Sequence, residues 1–438
     1  MLRRLVVTFV AVLALAAGAA TPSVALGYAH PNVVSANPVN ITPHVRNGSV
    51  LAIATVGNRV YVGGTFTGVT NAGTTAQITR NYLFAFDRTS GRVLTDFVPA
   101  VNGPVETIAA APNGTSIIIG GRFTTVGGTV QRSVAMLTPT GARVPTFTAK
   151  TNGYATKLVV RGTRLIVGGR FSTANAVTRS NLAAFNATTG ALDTAFNISV
   201  TEGRTTRTGA TGASVVELDA NAAGSRLVVL GNFRQVGGQP RMQVAMIDLT
   251  TNRVSTWSTN RFPNGPAGSA TAYQCYPVFE TAMRDVEFSP DGSYFVLVTT
   301  GGAPDRNAVS LCDTATRWET TTTAGARETW RNCTGGDTLY SVAITASSAG
   351  GAVYVGGHQR WLDNCGGRDA PVAGSFAADG IGAINATTGR AIRTWNPGRT
   401  RGVGAEELVA NADGLHIGSD TESLGGEYHA RLGLFPLG

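Results

Sequence analysis

Seven charged residues interrupt apolar, β-branched segments of this sequence, and they are the residues best suited to chemistry. Each lies one or two positions before the aliphatic centre of a recurring strand, and together they are Glu106, Lys157, Glu217, Arg284, Asp285, Glu406 and Glu407. A charge on an otherwise buried strand needs water or a partner. Gathered in a ring, these side chains would bind a small polar ligand or a cation. The alternative is that they pair with each other around ordinary water.

A second group of polar and aromatic residues lies in a long segment between residues 358 and 380. Its candidate ligand-binding residues, with a nearby cysteine, are His358, Arg360, Trp361, Asp363 and Cys365. An aromatic ring beside Arg and His resembles a sugar- or acid-binding surface, and long loops in compact folds often carry function. The structural alternative is that Trp361 only covers the end of a sheet. Residues 427–429 (Glu-Tyr-His) would extend the same surface.

Catalytic motifs are missing from the sequence. It has no Gly-x-Ser-x-Gly elbow and no phosphate-binding P-loop. Its five histidines show no His-x-x-x-His or His-x-His spacing, so no metal site is predicted. Carboxylates are present, and glycoside hydrolysis by an acid pair stays open, but no spacing selects a pair. No catalytic residue is therefore assigned.

The strands that must position these residues belong to a repeat made of a short apolar run, two glycines and an aromatic residue. Seven copies occur, the clearest at 60–66, 117–123 and 165–171, and the weaker ones at 228–233, 296–302, 353–358 and 415–419. The copies are spaced by about 50 to 70 residues, and internal repetition of this kind indicates a propeller or a solenoid.

Each repeat predicts four short strands joined by hairpins. In the second repeat the predicted strands are 105–110, 116–119, 133–137 and 144–148, with turn residues between them. The fourth strand ends on a large aromatic residue in six repeats, at Phe97, Phe147, Phe196, Trp257, Trp330 and Trp395. Four such strands cannot bury both faces of their sheet alone, so neighbouring sheets must cover them.

The ends of the chain complement each other. The seventh repeat lacks its fourth strand, and residues 33–44 stand before the first repeat where a fourth strand should lie. An N-terminal strand that completed the last sheet would close the ring and remove two exposed edges. We therefore predict an all-β fold, a seven-bladed β-propeller of four-stranded antiparallel blades, closed by an N-terminal strand in the last blade. First strands line the channel of a propeller, which would gather the seven charged residues at its mouth.

The predicted organisation is one propeller domain over residues 26–438, after a signal peptide at 1–25. The approximate repeats are 45–100, 101–150, 151–200, 201–260, 261–330, 331–400, and 401–438 together with 33–44. Arg3 and Arg4 precede an apolar core at 5–17, and small residues at 23–25 suit cleavage near Ala25. No other apolar run is long enough to span a membrane. The sequence thus predicts a secreted protein.

The pattern Tyr-Val-Gly-Gly-x-Phe … Leu-x-Ala-Phe-Asp/Asn … Thr-Gly … Phe resembles the delta-sixty repeat proteins, which are exported bacterial β-propellers of unknown function. Arginine-rich, lysine-poor composition makes the actinobacterial members most similar. The resemblance covers about residues 45–438 and implies the fold, but it supplies no catalytic residues. The segment 184–190 is also similar to the tryptophan-docking motif of the quinoprotein dehydrogenase propellers. Those proteins typically have eight blades and adjacent cysteines, which this chain lacks.

The four cysteines, in an exported protein, predict two disulfides. Three pairings are possible, and Cys275–Cys312 with Cys333–Cys365 is favoured because each pair stays within one repeat. Zinc is the less favoured alternative, since no Cys-x-x-Cys spacing occurs.

The net charge of +9 is spread over the chain and carried by arginine, without a basic cluster among aromatics. Nucleic acid is therefore not a predicted partner. The sequence favours a monomeric, secreted binding module that recognises a carbohydrate, a cell-envelope component or a protein. No cofactor is predicted, although a cation in the channel stays open. The alternative is an extracellular enzyme, either a glycoside hydrolase or lyase or, less favoured, a quinoprotein-like oxidoreductase.

Overall fold

The computed structural model describes residues 30, 33–206, 209–262, 275, 279–302, 310–345 and 351–438. These residues form strands, turns and bends, with no helix among them. No helix in the described ranges is long and apolar enough to cross a membrane. The predicted signal peptide at 1–25 lies outside the described residues.

The described residues form fourteen antiparallel sheets, and we number in chain order the seven that contain the first strands of the repeats. Sheets one to three consist of Val50–Val56, Arg59–Gly64 and Leu83–Asp87; Val105–Ala110, Ile117–Gly121 and Val134–Leu137; and Tyr154–Arg161, Arg164–Arg170 and Leu182–Asn186. Sheets four and five consist of Ser214–Ala220, Arg226–Asn232, Val244–Asp248 and Arg253–Val254, and of Met283–Phe288, Tyr294–Thr299, Thr314–Glu319 and Trp330–Cys333. Sheets six and seven consist of Leu339–Thr345, Ala352–Gly357 and Ile381–Asn385, and of Ala405–Asn411, Gly414–Ser419 and Leu432–Pro436.

Short outer hairpins join the second and third strands of six sheets. They are Gly68–Thr70 with Ile78–Thr79, Thr125–Val126 with Thr129–Val130, Thr173–Ala174 with Val177–Thr178, Gln235–Val236 with Gln239–Pro240, Trp361–Leu362 with Phe376–Ala377, and Ser423–Leu424 with Glu427–Tyr428. His44–Val45 pairs with the first hairpin and Val200–Thr201 with the fourth. A further pair, Thr205–Thr206 with Gly209–Ala210, precedes sheet four.

The predicted fourth strand is largely absent, which corrects the expectation of four-stranded blades. Only sheets four and five have it, and in four other sheets one isolated bridge stands in its place, as between Leu137 and Arg143. The chain turns back soon after the bridge, because the amide of Phe147 donates to the carbonyl of Val144 at 3.2 Å. That turn directs the aromatic side chain inward, where Phe147 is 1% exposed. In this repeat the aromatic residue thus serves packing rather than strand pairing, whereas Trp330 of sheet five is itself paired with Arg317.

The two glycines of the repeat let neighbouring strands approach closely. A Cβ on Gly168, the first of its pair, would lie 2.5 Å from Val215 of the next sheet. A Cβ on Gly169 would overlap the carbonyl oxygen of Tyr154 in the same sheet. Because real Cβ atoms cannot come that near, glycine is required at both places.

The hydrophobic core lies between successive sheets rather than in one central mass. Sheets one to six each share a buried cluster with the next, and each first strand contacts the first strand that follows it. Sheets seven and one are also in contact, through Leu432 packed with Val50 and Phe84.

The N-terminal segment runs beside the last strand of sheet seven without forming a regular strand there. The amides of Ser35 and Val39 donate to the carbonyls of Pro436 and Leu434 at 2.8 and 2.9 Å. Only His44–Val45 is a strand, and it pairs with Gly68–Thr70 beside sheet one. The predicted extended strand at 33–44 is therefore replaced by an irregular segment in the same location.

Both favoured disulfides are confirmed, since the structure joins Cys275 to Cys312 and Cys333 to Cys365.

Candidate functional site

Every first strand carries a β-bulge at the same position. Strand pairing in sheet three skips Thr156 between Ala155 and Lys157, and the other six first strands skip one residue at the equivalent point. The skipped residues are Leu51, Glu106, Thr156, Val216, Arg284, Tyr340 and Glu406. A bulge changes the direction of its side chains. The predicted charged ring is thereby divided into bulge residues and the residues that follow them.

Several of the residues that follow a bulge link their sheet to the next one. Asp285 of sheet five accepts hydrogen bonds from the amides of Val286 and Val342, both at 2.8 Å. Lys157 lies 3.1 Å from Glu217 of the following sheet, measured from Nζ to Oε1.

The same linkage recurs with uncharged and charged residues elsewhere. Thr107 accepts a hydrogen bond from the amide of Leu158 at 3.1 Å. Glu407 of sheet seven accepts one from the amide of Ile53 in sheet one. These contacts are structural, because each connects neighbouring first strands whatever residue type provides it.

A cavity of about 210 Å³ lies among the first strands of sheets three, four, five, six and seven, and we call it the first-strand cavity. Its charged lining residues are Lys157, Arg161, Asp219, Asp285, Glu287 and Glu407. Four carboxylates thus face two cations, and Glu217 adds a further carboxylate beside Lys157. The cavity is acidic and has room for water or one small polar molecule.

Sequence reasoning missed Asp219, Glu287 and Arg161. The amide of Phe288 donates to Asp219 at 2.9 Å, and the amide of Ile344 donates to Glu287 at 2.8 Å. The side chains of Asp219 and Arg161 lie 3.1 Å apart. Asp219 and Glu287 each stand two residues beyond a predicted site residue, and that two-residue period was the signal that would have found them.

Burial controls protonation in the first-strand cavity. Burial raises the pKa of Asp285 and, more strongly, of Glu217 and Glu287, and it raises the pKa of Glu407 to about 7. Burial alone would lower the pKa of Lys157, but the surrounding carboxylates, Glu217 first, raise it well above its usual value. Lys157 therefore stays charged, while the carboxyl groups retain protons to higher pH than exposed ones.

The bulge residues form a separate set outside that cavity lining. Glu106 pairs with Arg122 of its own sheet. Arg284 donates to the carbonyl of Met283 at 2.9 Å and lies 5.7 Å from the ring centre of Tyr340. Burial raises the pKa of Glu406 to about 7. The structure thus places Glu106, Arg284 and Glu406 apart from Lys157, Asp285 and Glu407.

The segment at 358–380 is organised by ion pairs. Arg360 bridges Asp337 and Asp369, with both closest distances 2.8 Å, and its guanidinium lies 4.4 Å over the ring of Trp361. His358 contacts the carbonyl of Gly402 at 2.5 Å through Nδ1.

Asp363 is turned into the scaffold rather than toward solvent. Its side chain is 4% exposed, and it accepts a hydrogen bond from Asn332 at 2.7 Å. Residues 427–429 lie elsewhere, against the N-terminal segment, where the Tyr428 and His44 ring centres are 4.8 Å apart.

Within the described ranges, no group of three or more His, Cys, Asp or Glu side chains has an arrangement that could hold a metal ion. The acidic lining of the first-strand cavity consists of carboxyl groups that accept backbone hydrogen bonds, and burial raises the pKa values of Asp285, Glu287 and Glu407 among them.

Comparisons with known proteins agree on the fold. Residues 164–196 match a family model described as a domain of unknown function (DUF5122) beta-propeller. That stretch runs from the second strand of sheet three to its buried aromatic, Phe196. No curated protein matches the chain.

Two solved structures resemble about nine-tenths of the chain. The β-propeller domain of Cps50 (Swd1) from Myceliophteria thermophila has a TM-score of 0.51 at 7% identity, covering 90% of this chain and 99% of that one. The computationally designed protein Ika8 has a TM-score of 0.47 at 13% identity, covering 91% and 100%. At 7% identity, the first likeness shows the fold alone. The chain is an all-β protein with a β-propeller fold.

Proposed function

We propose that this protein is an exported β-propeller whose seven sheets form one closed ring and which acts as a binding module. Closure is supported by the way sheet seven meets sheet one. A Cβ on Gly418 would lie 2.7 Å from Val50, just as a Cβ on Gly63 would lie 2.8 Å from Val105. The last sheet thus packs on the first as the first packs on the second. The N-terminal segment is also hydrogen-bonded to the last strand, which holds it close to that junction.

Export is supported by the two disulfides, which are typical of proteins in oxidising compartments. The N-terminal pattern of positive charge, apolar core and small residues points the same way.

The observation that carries the binding role is the first-strand cavity. Five first strands contribute to one acidic space, and its lining combines proton-retaining carboxyl groups with a charged lysine. Such a set offers both donors and acceptors to hydroxyl groups. The ligand we propose is a carbohydrate or another polar part of the cell envelope, or a protein that inserts a polar side chain there.

Glycan-array screening followed by calorimetry with the double variant Asp285→Asn, Glu407→Gln tests this role. The variant keeps an acceptor at both positions but removes two ionisable carboxyl groups from the first-strand cavity. We expect the wild-type chain to bind at least one polar ligand, and the double variant to bind it at least tenfold more weakly. Unchanged affinity in a folded double variant would overturn the cavity as the site. Turnover of the bound ligand would overturn the binding-module role.

The raised pKa of Glu407, about 7, favours one second candidate, a glycoside hydrolase in which that carboxyl group is the general acid. Chromogenic glycosides incubated with the wild-type chain and with Glu407→Gln test it. Hydrolysis that disappears in the variant would support an enzyme. Absence of hydrolysis across a panel of α- and β-glycosides would remove this candidate.

A further inference from the structure

An open groove lies between sheets three and four, at the end where their first strands begin. Its volume is about 520 Å³, within the range of roughly 300–1,000 Å³ that ligand pockets occupy. The side chains that matter for recognition are those of Arg170, Ser172, Ser180, Thr201 and Glu202. We call this space the Arg170 groove, and it is distinct from the first-strand cavity.

The repeat itself shows that Arg170 is unusual. Arg122 occupies the same place one sheet earlier, directly after the paired glycines. There it forms an ion pair with Glu106, and its guanidinium lies 4.4 Å over the ring of Tyr154. Both of those partners are absent around Arg170, since Thr156 and Ser214 stand at the equivalent positions.

Arg170 is consequently an exposed cation. Among the described residues it forms neither an ion pair nor a side-chain hydrogen bond. Its guanidinium lies against Gly212, where a Cβ would come within 2.8 Å of Nη2. Glycine at that position leaves the space that the guanidinium occupies, so the charge is held at the groove instead of being covered.

The remaining polar groups of the groove suit hydroxyl groups. Ser172 accepts a hydrogen bond from Asn152 at 2.8 Å and keeps its own hydrogen to donate. The side-chain hydroxyls of Ser180 and Thr201 have no partner among the described residues. Glu202 accepts a hydrogen bond from Gln235 through one oxygen, which leaves the other oxygen for a ligand hydroxyl.

We propose that the Arg170 groove binds saccharides that carry a carboxylate, such as uronic acids. The guanidinium of Arg170 pairs with the ligand carboxylate through two parallel hydrogen bonds, and the three hydroxyl side chains and Glu202 bind the sugar hydroxyls. A neutral sugar would leave the guanidinium without an anion, and a small dianion would face Glu202. The proposal rests on the binding function proposed above, adds a second site to it and names the ligand class of that second site.

Calorimetry on the full chain with D-glucuronate, D-glucose and acetate tests the assignment. We expect measurable binding of glucuronate, at least tenfold weaker binding of glucose, and no saturable binding of acetate. Arg170→Ala should weaken glucuronate binding by about 10- to 100-fold, because a charge-assisted pair is lost. Arg170→Lys should recover only part of it, since lysine cannot bind both carboxylate oxygens at once.

Arg122→Ala is the matched control, because it removes the equivalent arginine of the preceding sheet but leaves the groove intact. Its affinity for glucuronate should equal that of the wild-type chain. No glucuronate binding, equal binding of glucose, equal binding of acetate, or unchanged binding in Arg170→Ala would each overturn the proposal. The double variant Asp285→Asn, Glu407→Gln separates the two sites. If it alone loses ligand binding, the binding function stands and the Arg170 groove does not.

Discussion

The first-strand cavity and the junction between the N-terminal segment and sheet seven both bury ionisable groups, but they do so in opposite ways. In the cavity, carboxylates are hydrogen-bonded to backbone amides and stand beside Lys157. At the junction, which we call the seam, histidines are buried or half-buried and their hydrogen bonding is incomplete. Nδ1 of both His30 and His44 is without a hydrogen bond among the described residues. His44 also lies near another histidine, His429, with ring centres 6.4 Å apart.

The two regions should respond to acid with opposite signs. Burial raises the pKa of Glu407 above its unfolded value, so its contribution to stability is present at low pH and is lost as pH rises toward about 7. Burial lowers the pKa of His44, and nearby His429 and Arg46 lower it further. Its contribution is present above about 6.5 and is lost as pH falls. Acid therefore favours the cavity and weakens the seam.

The largest effect should follow from removing the cation of the cavity. Lys157→Met leaves the surrounding carboxylates without their counter-charge, and we expect the free energy of unfolding to fall by about 3 kcal/mol at pH 8. The loss should shrink at pH 5, because protonated carboxyl groups no longer need a cation. Chemical denaturation at both pH values measures it.

Lys150→Met is the control, since Lys150 is the other lysine of the sequence and is exposed. Its effect should stay below about 0.5 kcal/mol. Equal stability of the two variants at pH 8 would mean that Lys157 does not balance the cavity carboxylates.

A smaller effect is expected where a carboxylate links two sheets. Asp285→Ala leaves the amides of Val286 and Val342 without their acceptor, and we expect a loss of about 2 kcal/mol. Asp285→Asn keeps one acceptor oxygen in place and should cost about 1 kcal/mol or less. Denaturation midpoints of the two variants provide the measurement. If both variants lose the same amount, the charge of Asp285 matters and its hydrogen bonds do not.

Particular residues show how far the sequence could predict these regions. Asp285 and Glu407 could be predicted to lie at equivalent positions because each precedes an aliphatic residue in a recognisable repeat. The bulge could not be predicted, since it depends on which residue of the second strand each residue faces. In the strand register, Lys157 lies opposite Gly168 and Ala155 lies opposite Gly169, so no residue of the second strand lies opposite Thr156. Glu406 and Glu407 are adjacent residues of the same type. Only the strand register, which no local pattern encodes, makes Glu406 the bulge residue and Glu407 the residue that follows it.

The seam was beyond local sequence reasoning for another reason. His44 and His429 lie near opposite ends of the chain, and their spacing matches no motif. They meet because the N-terminal segment runs beside sheet seven, where the amide of Val45 donates to the carbonyl of Ala430 at 2.9 Å. The predicted placement of residues 33–44 beside the last sheet anticipated this contact, but the sequence did not indicate which side chains face each other there.

The smallest expected effect tests the acid response of the seam. Glutamine in place of both histidines, His44→Gln with His429→Gln, removes two groups that must be charged on unfolding at low pH. The groups that face them stay: Arg46 and Tyr428 beside His44, and Glu427 and Thr42 beside His429. Between pH 7 and pH 5.5, the wild-type Tm should fall by about 3 °C relative to this variant, as measured by calorimetry.

Glu407→Gln extends the same experiment to the first-strand cavity. The substitution removes a carboxyl group whose contribution to the stability of the fold grows as the pH falls. The Tm of the variant should therefore fall more steeply than that of the wild-type chain over the same pH interval. The two variants should therefore bracket the wild-type pH profile. Identical slopes in all three proteins would contradict the opposition between cavity and seam, because the titrating groups would then lie elsewhere. A steeper fall in the histidine variant would mean that the seam histidines stabilise the fold in their charged form.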